Sequence, residues 1–109
     1  MQFEHLLPES FCWDCLPSEK ILGTQGNAFV KKYQAGNIQL RMVRYSEGYL
    51  ADHWCEKGHI VLVQAGELTV EHADGTEREL SEGSVYVVGD KSLPHRLHTT
   101  AGATLFIID

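Results

Sequence analysis

The 109-residue chain is short of positive charge, of cysteine and of long apolar runs. Nine Lys and Arg stand against fifteen Asp and Glu, a formal net charge of −6 with a pI near 5.4. Nucleic acid and anionic membranes select for basic surfaces, so neither is an expected partner. No apolar stretch approaches the about 20 residues that a membrane span takes. The opening MQFEHLLPES carries Glu4 where a secretory signal would be basic, and it has no long apolar centre, so the expected location is the cytoplasm. Cys12, Cys15 and Cys55 are the only cysteines, an odd count without a secretion signal, which does not make a disulfide framework. Cys12 and Cys15 form a C-x-x-C. Leu16-Pro17 is a poor start for the helix that a redox pair opens, and a zinc half-site needs a second pair, so they read as incidental thiols. The sequence also lacks repeats, low-complexity segments and any sustained 3.6-residue period.

What is present is short-range alternation, within a length that suits one domain with a real core. Residues 1–27 carry Pro8, Pro17, Gly23 and Gly26 and read as an extended lead-in with room for one short strand; residues 28–109 form the domain. AFVKKYQ (28–34) and NIQLRMVRYS (37–46), separated by Ala35-Gly36, predict a hairpin. Ile38, Leu40 and Met42 alternate with Gln39 and Arg41, the pattern of a half-buried strand. HIVLVQ (59–64) is apolar on both parities, and ELTVEHA (67–73) alternates again, with Leu68, Val70 and His72 on one face. Asp74-Gly75 predicts a two-residue hairpin turn returning through TEREL, and SVYVVG (84–89) and ATLFIID (103–109) complete the set. Many short strands with Gly-rich turns define an all-β protein, a sandwich or a small jelly-roll barrel.

At the entrance to the apolar HIVLVQ run stand His53, Cys55 and His59, within ADHWCEKGH. Residues two apart on a strand share a face, so His53 and Cys55 are expected to point together while Trp54 points away. A turn or bulge at EKG, with Gly58 supplying the permissive backbone, lets His59 face back toward them. The same side chains also suit satisfied core or rim histidines with Cys55 as a small buried apolar group.

The order His53-x-Cys55, three residues, His59, six residues, Gly66 resembles the first motif of the cupin superfamily, in which two histidines and a glutamate bind a divalent metal in a small β-barrel. GSVYVVGDKSLPHRLHTT (83–100) resembles the second motif, whose histidine completes the ligand set, at His95 here. ADHWCEKGH also resembles the signature of small bacterial cupins with a DHCW motif, although the order here is Asp52-His53-Trp54-Cys55. The resemblance covers roughly residues 37–109. It implies a cupin-type double-stranded β-helix, a metal on His53, Cys55, His59 and His95, and a homodimer paired through sheet edges. The chain departs from the pattern where Cys55 replaces a histidine, His59 replaces the glutamate, Gly89 stands for a proline and Thr99 for an asparagine.

Imidazole and thiolate donors favour Zn²⁺ and leave Fe, Ni or Cu open, while thiolate disfavours Mg²⁺ and Ca²⁺. Four protein donors around tetrahedral Zn²⁺ would make a closed, structural site, whereas a vacant position would allow catalysis. His98, three positions beyond His95, belongs on the opposite strand face; His72 shares a face with core residues and reads as packing. No general base is evident, since Glu56 sits in the turn and Tyr45, Tyr49 and Tyr86 qualify only by type. The expected function is a metal-binding small cupin with a small organic ligand in the barrel. The alternatives are a cupin metalloenzyme of dioxygenase, isomerase or lyase type, and a metal-free structural barrel.

Overall fold

A computed structural model describes residues 3–109. A single 3₁₀ turn, Trp13–Cys15, precedes eight strands: β1 (Glu19–Leu22), β2 (Asn27–Ala35), β3 (Ile38–Tyr45), β4 (His59–His72), β5 (Glu77–Ser81), β6 (Val85–Val88), β7 (His95–His98) and β8 (Ala103–Ile108). Every strand pairing is antiparallel. No helix among the described residues is long and apolar enough to cross a membrane.

β4 organises the barrel. Its first half lies between β8 and β6 in one sheet, and its second half lies between β5 and β7 in the other. The sequence pattern predicts two strands, 59–64 and 67–73; they form one continuous strand that changes sheets. The register against β8 shifts between Val63 and Ala65, and Gly66 takes φ +80. A Cβ at Gly66 would collide with the carbonyl oxygen of Gly102, so the crossing needs glycine for both dihedral and space. Gly66→Ala is expected to cost about 2–4 kcal/mol in urea unfolding, because strain and overpacking add. Gly75→Ala, at φ +89 with open space around it, should cost only about 1 kcal/mol. Equal losses would mean that the crossing is not tightly packed.

Burial alternates along β8, where Ala103, Leu105 and Ile107 point inward beside Val43 of β3 and Val61 and Val63 of β4. Phe106, Met42 and Leu62 form the neighbouring outward row. That outer face is apolar because the N-terminal segment crosses it. Trp13 meets Phe106 edge-on at 6.2 Å, Phe11 stacks on Tyr33 at 3.9 Å, and Lys31 Nζ donates to the Trp13 carbonyl. On β3, therefore, Val43 and Tyr45 are buried and Arg41 belongs to the inward row, whereas Leu40 and Met42 are only half-buried. Within the lead-in, β1 pairs with β2. Cys12, just before the 3₁₀ turn, and Cys15, its last residue, are exposed free thiols.

The β4–β5 hairpin differs from the expected two-residue turn. Gly75 N–H donates to the His72 carbonyl at 3.0 Å, and Gly75 but not Asp74 has positive φ. Asp74 instead accepts from Thr76 through both N–H and hydroxyl, which fixes the loop without a left-handed Asp.

Candidate metal centre

The centre lies where the loop before β4 meets β7. Residues 50–58 are not a regular strand: they bend at Asp52 and His53 and touch the sheet through the bridges Leu50–His98 and Cys55–His95. Cys55 N–H donates to His95 O at 2.7 Å, and His95 N–H donates to Cys55 O at 2.9 Å, which locks the two backbones side by side. Gly58 then packs against the 88–90 turn, where a Cβ would meet Asp90 N and Val88 O. It is needed there for close approach and not for an unusual φ. His59 opens β4 with its side chain inward.

Three of the four expected ligands converge. Cys55 Sγ is 3.5 Å from His59 Nε2, which is 3.0 Å from His95 Nε2, and the donor atoms of these residues all lie within 4.8 Å of one another. His53 stands outside this group. Its side chain is 76 % exposed and its Nδ1 lies 2.6 Å from Asp52 Oδ1. The bend at Asp52 and His53 breaks the two-residue alternation that would have set it beside Cys55. His53 nevertheless lines the mouth of the same cavity, about 180 Å³ in volume, together with Cys55, His59, His95, Arg41, Tyr45 and Tyr49.

The outward nitrogens fix the tautomers. His59 Nδ1 is 3.0 Å from Asp109 Oδ2, and His95 Nδ1 is 3.2 Å from the Leu93 carbonyl. Carboxylate and carbonyl oxygens only accept, so each Nδ1 carries a proton, and the two Nε2 atoms face one another. Burial holds the His95 imidazole below its ordinary pKa, partly offset by the Leu93 carbonyl and helped by neighbouring His59 and His72, so that ring is neutral at neutral pH. A single ion between the two Nε2 atoms and Cys55 Sγ would engage all three donors at once. The separations of 3.0 and 3.5 Å are those of donors roughly 2.0–2.3 Å from one ion at angles of about 90–110°. The donor set thus fits a transition metal.

Asp109 is the member that motif reading misses. Its side chain is only 1 % exposed, and Oδ2 accepts from both His59 and Arg41 Nη2, the latter at 2.6 Å. Burial raises its pKa, but the His59 hydrogen bond and the Arg41 and Lys57 charges outweigh that and hold the carboxyl below the usual range. A carboxylate behind a ligand histidine orients the ring and raises its basicity. Part of the signal was in the sequence, since Ala103, Leu105 and Ile107 set an inward parity that a charge at 109 continues, but its partner His59 follows only from the pairing of β8 with β4.

Tyr45 and Tyr49 stack at 4.1 Å against the cavity, and burial pushes both phenols up, so they are neutral donors and not bases. His72 is buried away from this cavity, with Nε2 2.7 Å from Tyr86 OH and Nδ1 3.2 Å from Thr76 Oγ1. His98 is half-buried on β7, on the parity opposite His95.

No protein-family model and no curated protein sequence matches the chain. Solved structures do. An RmlC-like cupin from Shewanella frigidimarina superposes with TM-score 0.74 at 20% identity, covering 96% of this chain and 88% of that one. A protein described as a predicted oxalate decarboxylase from Thermotoga maritima gives 0.77 at 10% identity over 92% and 96%. A cupin-superfamily sugar phosphate isomerase from Silicibacter pomeroyi gives 0.69 at 15% over 92% and 74%. The architecture is a two-sheet β-barrel with a His/Cys cluster facing inward. The chain has the fold of these cupin structures.

Proposed function

We propose that the protein is a metal-binding small cupin that holds one divalent transition metal, Zn²⁺ by donor preference, on Cys55, His59 and His95, and receives a small organic ligand in the adjoining cavity. The observation that carries this reading is the pair of Nε2 atoms held 3.0 Å apart beside a sulfur, with both Nδ1 atoms engaged elsewhere. Three protein donors leave a coordination position free, which is the arrangement of exchangeable rather than closed sites. When bound, such an ion supplies Lewis-acid polarisation of a ligand oxygen or a water of lowered pKa. The chain's residues divide the remaining work. Asp109 and the Leu93 carbonyl orient the two imidazoles, Tyr45 and Tyr49 offer hydroxyl donors, and Val43, Val61 and Ile107 keep the inner wall apolar.

The neighbours' names span decarboxylation and sugar-phosphate isomerisation, so the fold does not choose a reaction. The open position favours a cupin metalloenzyme, of dioxygenase, isomerase or lyase type, over a purely structural barrel. Asp52, His53, Trp54 and Cys55 support a place beside the DHCW-motif cupins, and a cytoplasmic homodimer paired through sheet edges belongs to the same reading.

Cobalt substitution tests it. The Co²⁺-loaded protein should show a thiolate-to-metal charge-transfer band that Cys55→Ser abolishes, and visible bands that shift on adding azide. A charge-transfer band that survives Cys55→Ser would remove the thiolate from the site, and azide-insensitive bands would mean a closed one.

A further inference from the structure

Arg41 is a cation where the strand pattern calls for an apolar side chain. On β3 it shares a register row with Ile107 and, through it, with Val61, which are 2% and 1% exposed. It lines the same cavity as Cys55, His59 and His95. Its side chain is 24% exposed, and Nη2 reaches Asp109 Oδ2 at 2.6 Å. Its Nε–H is buried without a hydrogen-bond partner among the described residues, as is Oδ1 of Asp109 in the same ion pair. A guanidinium presents five N–H donors in a planar fork that matches a carboxylate bidentately. Asp109 engages that fork through one nitrogen only and already shares the same oxygen with His59. Asp109 leaves the rest of the fork unengaged, and the exposed part of the side chain borders the cavity, within reach of an anion that enters it.

We infer that Arg41 is an anion-binding position inside the barrel, and that the small molecule taken up beside Cys55, His59 and His95 carries a carboxylate. This deepens the metal-binding reading and rests on it for what lies next to the anion. The guanidinium fork itself acts with or without the ion. The cavity of about 180 Å³ equals roughly six water volumes, room for a carboxylate on a short carbon chain. Ala28, Val30, Val43 and Val61 supply an apolar wall for that chain. A phosphate is less well served. Such groups draw on helix N-termini or several cations, whereas this wall offers a guanidinium half-neutralised by Asp109, with the Asp52 carboxylate at the rim.

The experiment titrates propionate, propanamide and inorganic phosphate into the full chain, metal-loaded and metal-stripped, by calorimetry, with metal content measured on every sample. Propionate should bind about tenfold or more tightly than propanamide, the scale of a charge-assisted hydrogen bond. Arg41→Met should erase that preference. Arg41→Lys, which keeps a charge facing Asp109, should retain part of it and is the variant read if the methionine protein misfolds or loses metal. Equal binding of acid and amide, tighter binding of phosphate, or a full preference surviving in both variants would overturn the inference. A wild-type protein that takes up no metal would defeat the metal reading alone, and the metal-stripped arm would still decide Arg41.

Discussion

His95→Ala and His59→Ala should each yield a folded barrel that no longer retains a transition metal, while the tag-free wild-type protein carries about one ion per chain by elemental analysis. Each substitution removes one of the two Nε2 donors that meet at 3.0 Å, and Cys55→Ala removes the sulfur 3.5 Å away. The loss should exceed the ~10–100-fold that removing an outer partner of a metal ligand costs. Thermal unfolding gives a second measurement. An ion that binds only the folded state at 100 times its dissociation constant adds about 2.7 kcal/mol, so a chelator should lower the wild-type Tm and leave the alanine variants unmoved.

His53→Ala is the informative contrast. The side chain is exposed and held by Asp52, so its removal should reduce metal retention far less than removal of His95. Complete loss in His53→Ala would mean that the 52–55 loop closes to bring a fourth donor in, and that the coordination sphere is filled. Stoichiometric metal surviving both His59→Ala and His95→Ala would place the ion elsewhere, and a metal-free wild type under metal-replete conditions would leave the barrel structural.

The strands were legible because alternation and turn chemistry are local signals: β2, β3, β6 and β8 fall where the apolar residues recur, and β5 where the chain returns from Asp74-Gly75. Continuity through Gly66 was not, because a glycine inside an apolar run reads as a break until its partner strands are known. The inward face of β3 was also hidden. Of the apparent core stripe Ile38, Leu40 and Met42, only Ile38 is buried; the N-terminal segment lies along that outer row through Trp13 and Phe11, and it is Arg41, Val43 and Tyr45 that face the interior. For the site, the motif spacing singled out Cys55, His59 and His95, whose positions depend on β4 and β7. His53 depends on a bend at Asp52 that no spacing encodes, and Asp109 is brought to His59 only by the pairing of β8 with β4.

Asp109→Asn should damage metal affinity and stability together, through different partners. Asparagine keeps an oxygen for His59 Nδ1–H but loses the charge, so chelator competition should show about a 10–100-fold weaker site. Arg41, three-quarters buried, loses its carboxylate. Removing one partner of a buried ion pair costs about 3–5 kcal/mol, and solvent at Arg41 reduces this to about 2–3 kcal/mol in urea unfolding of the metal-stripped protein. The exposed Lys57, 3.9 Å from Asp109, gives a control, since Lys57→Ala should cost well under about 1 kcal/mol. The pH dependence follows from the carboxyl's lowered pKa. Burial opposes the shift, but the His59 hydrogen bond and the cations beside it prevail, so the folded state holds this proton less tightly than the unfolded chain. Its contribution is therefore complete above the ordinary Asp range and is lost as pH falls through the lowered folded value. Acid titration of the wild type should show that loss, and Asp109→Asn should lack it. If the variant binds metal as tightly as the parent and unfolds in acid along the same curve, Asp109 neither orients His59 nor secures Arg41, and the inner wall of the site is held by packing alone.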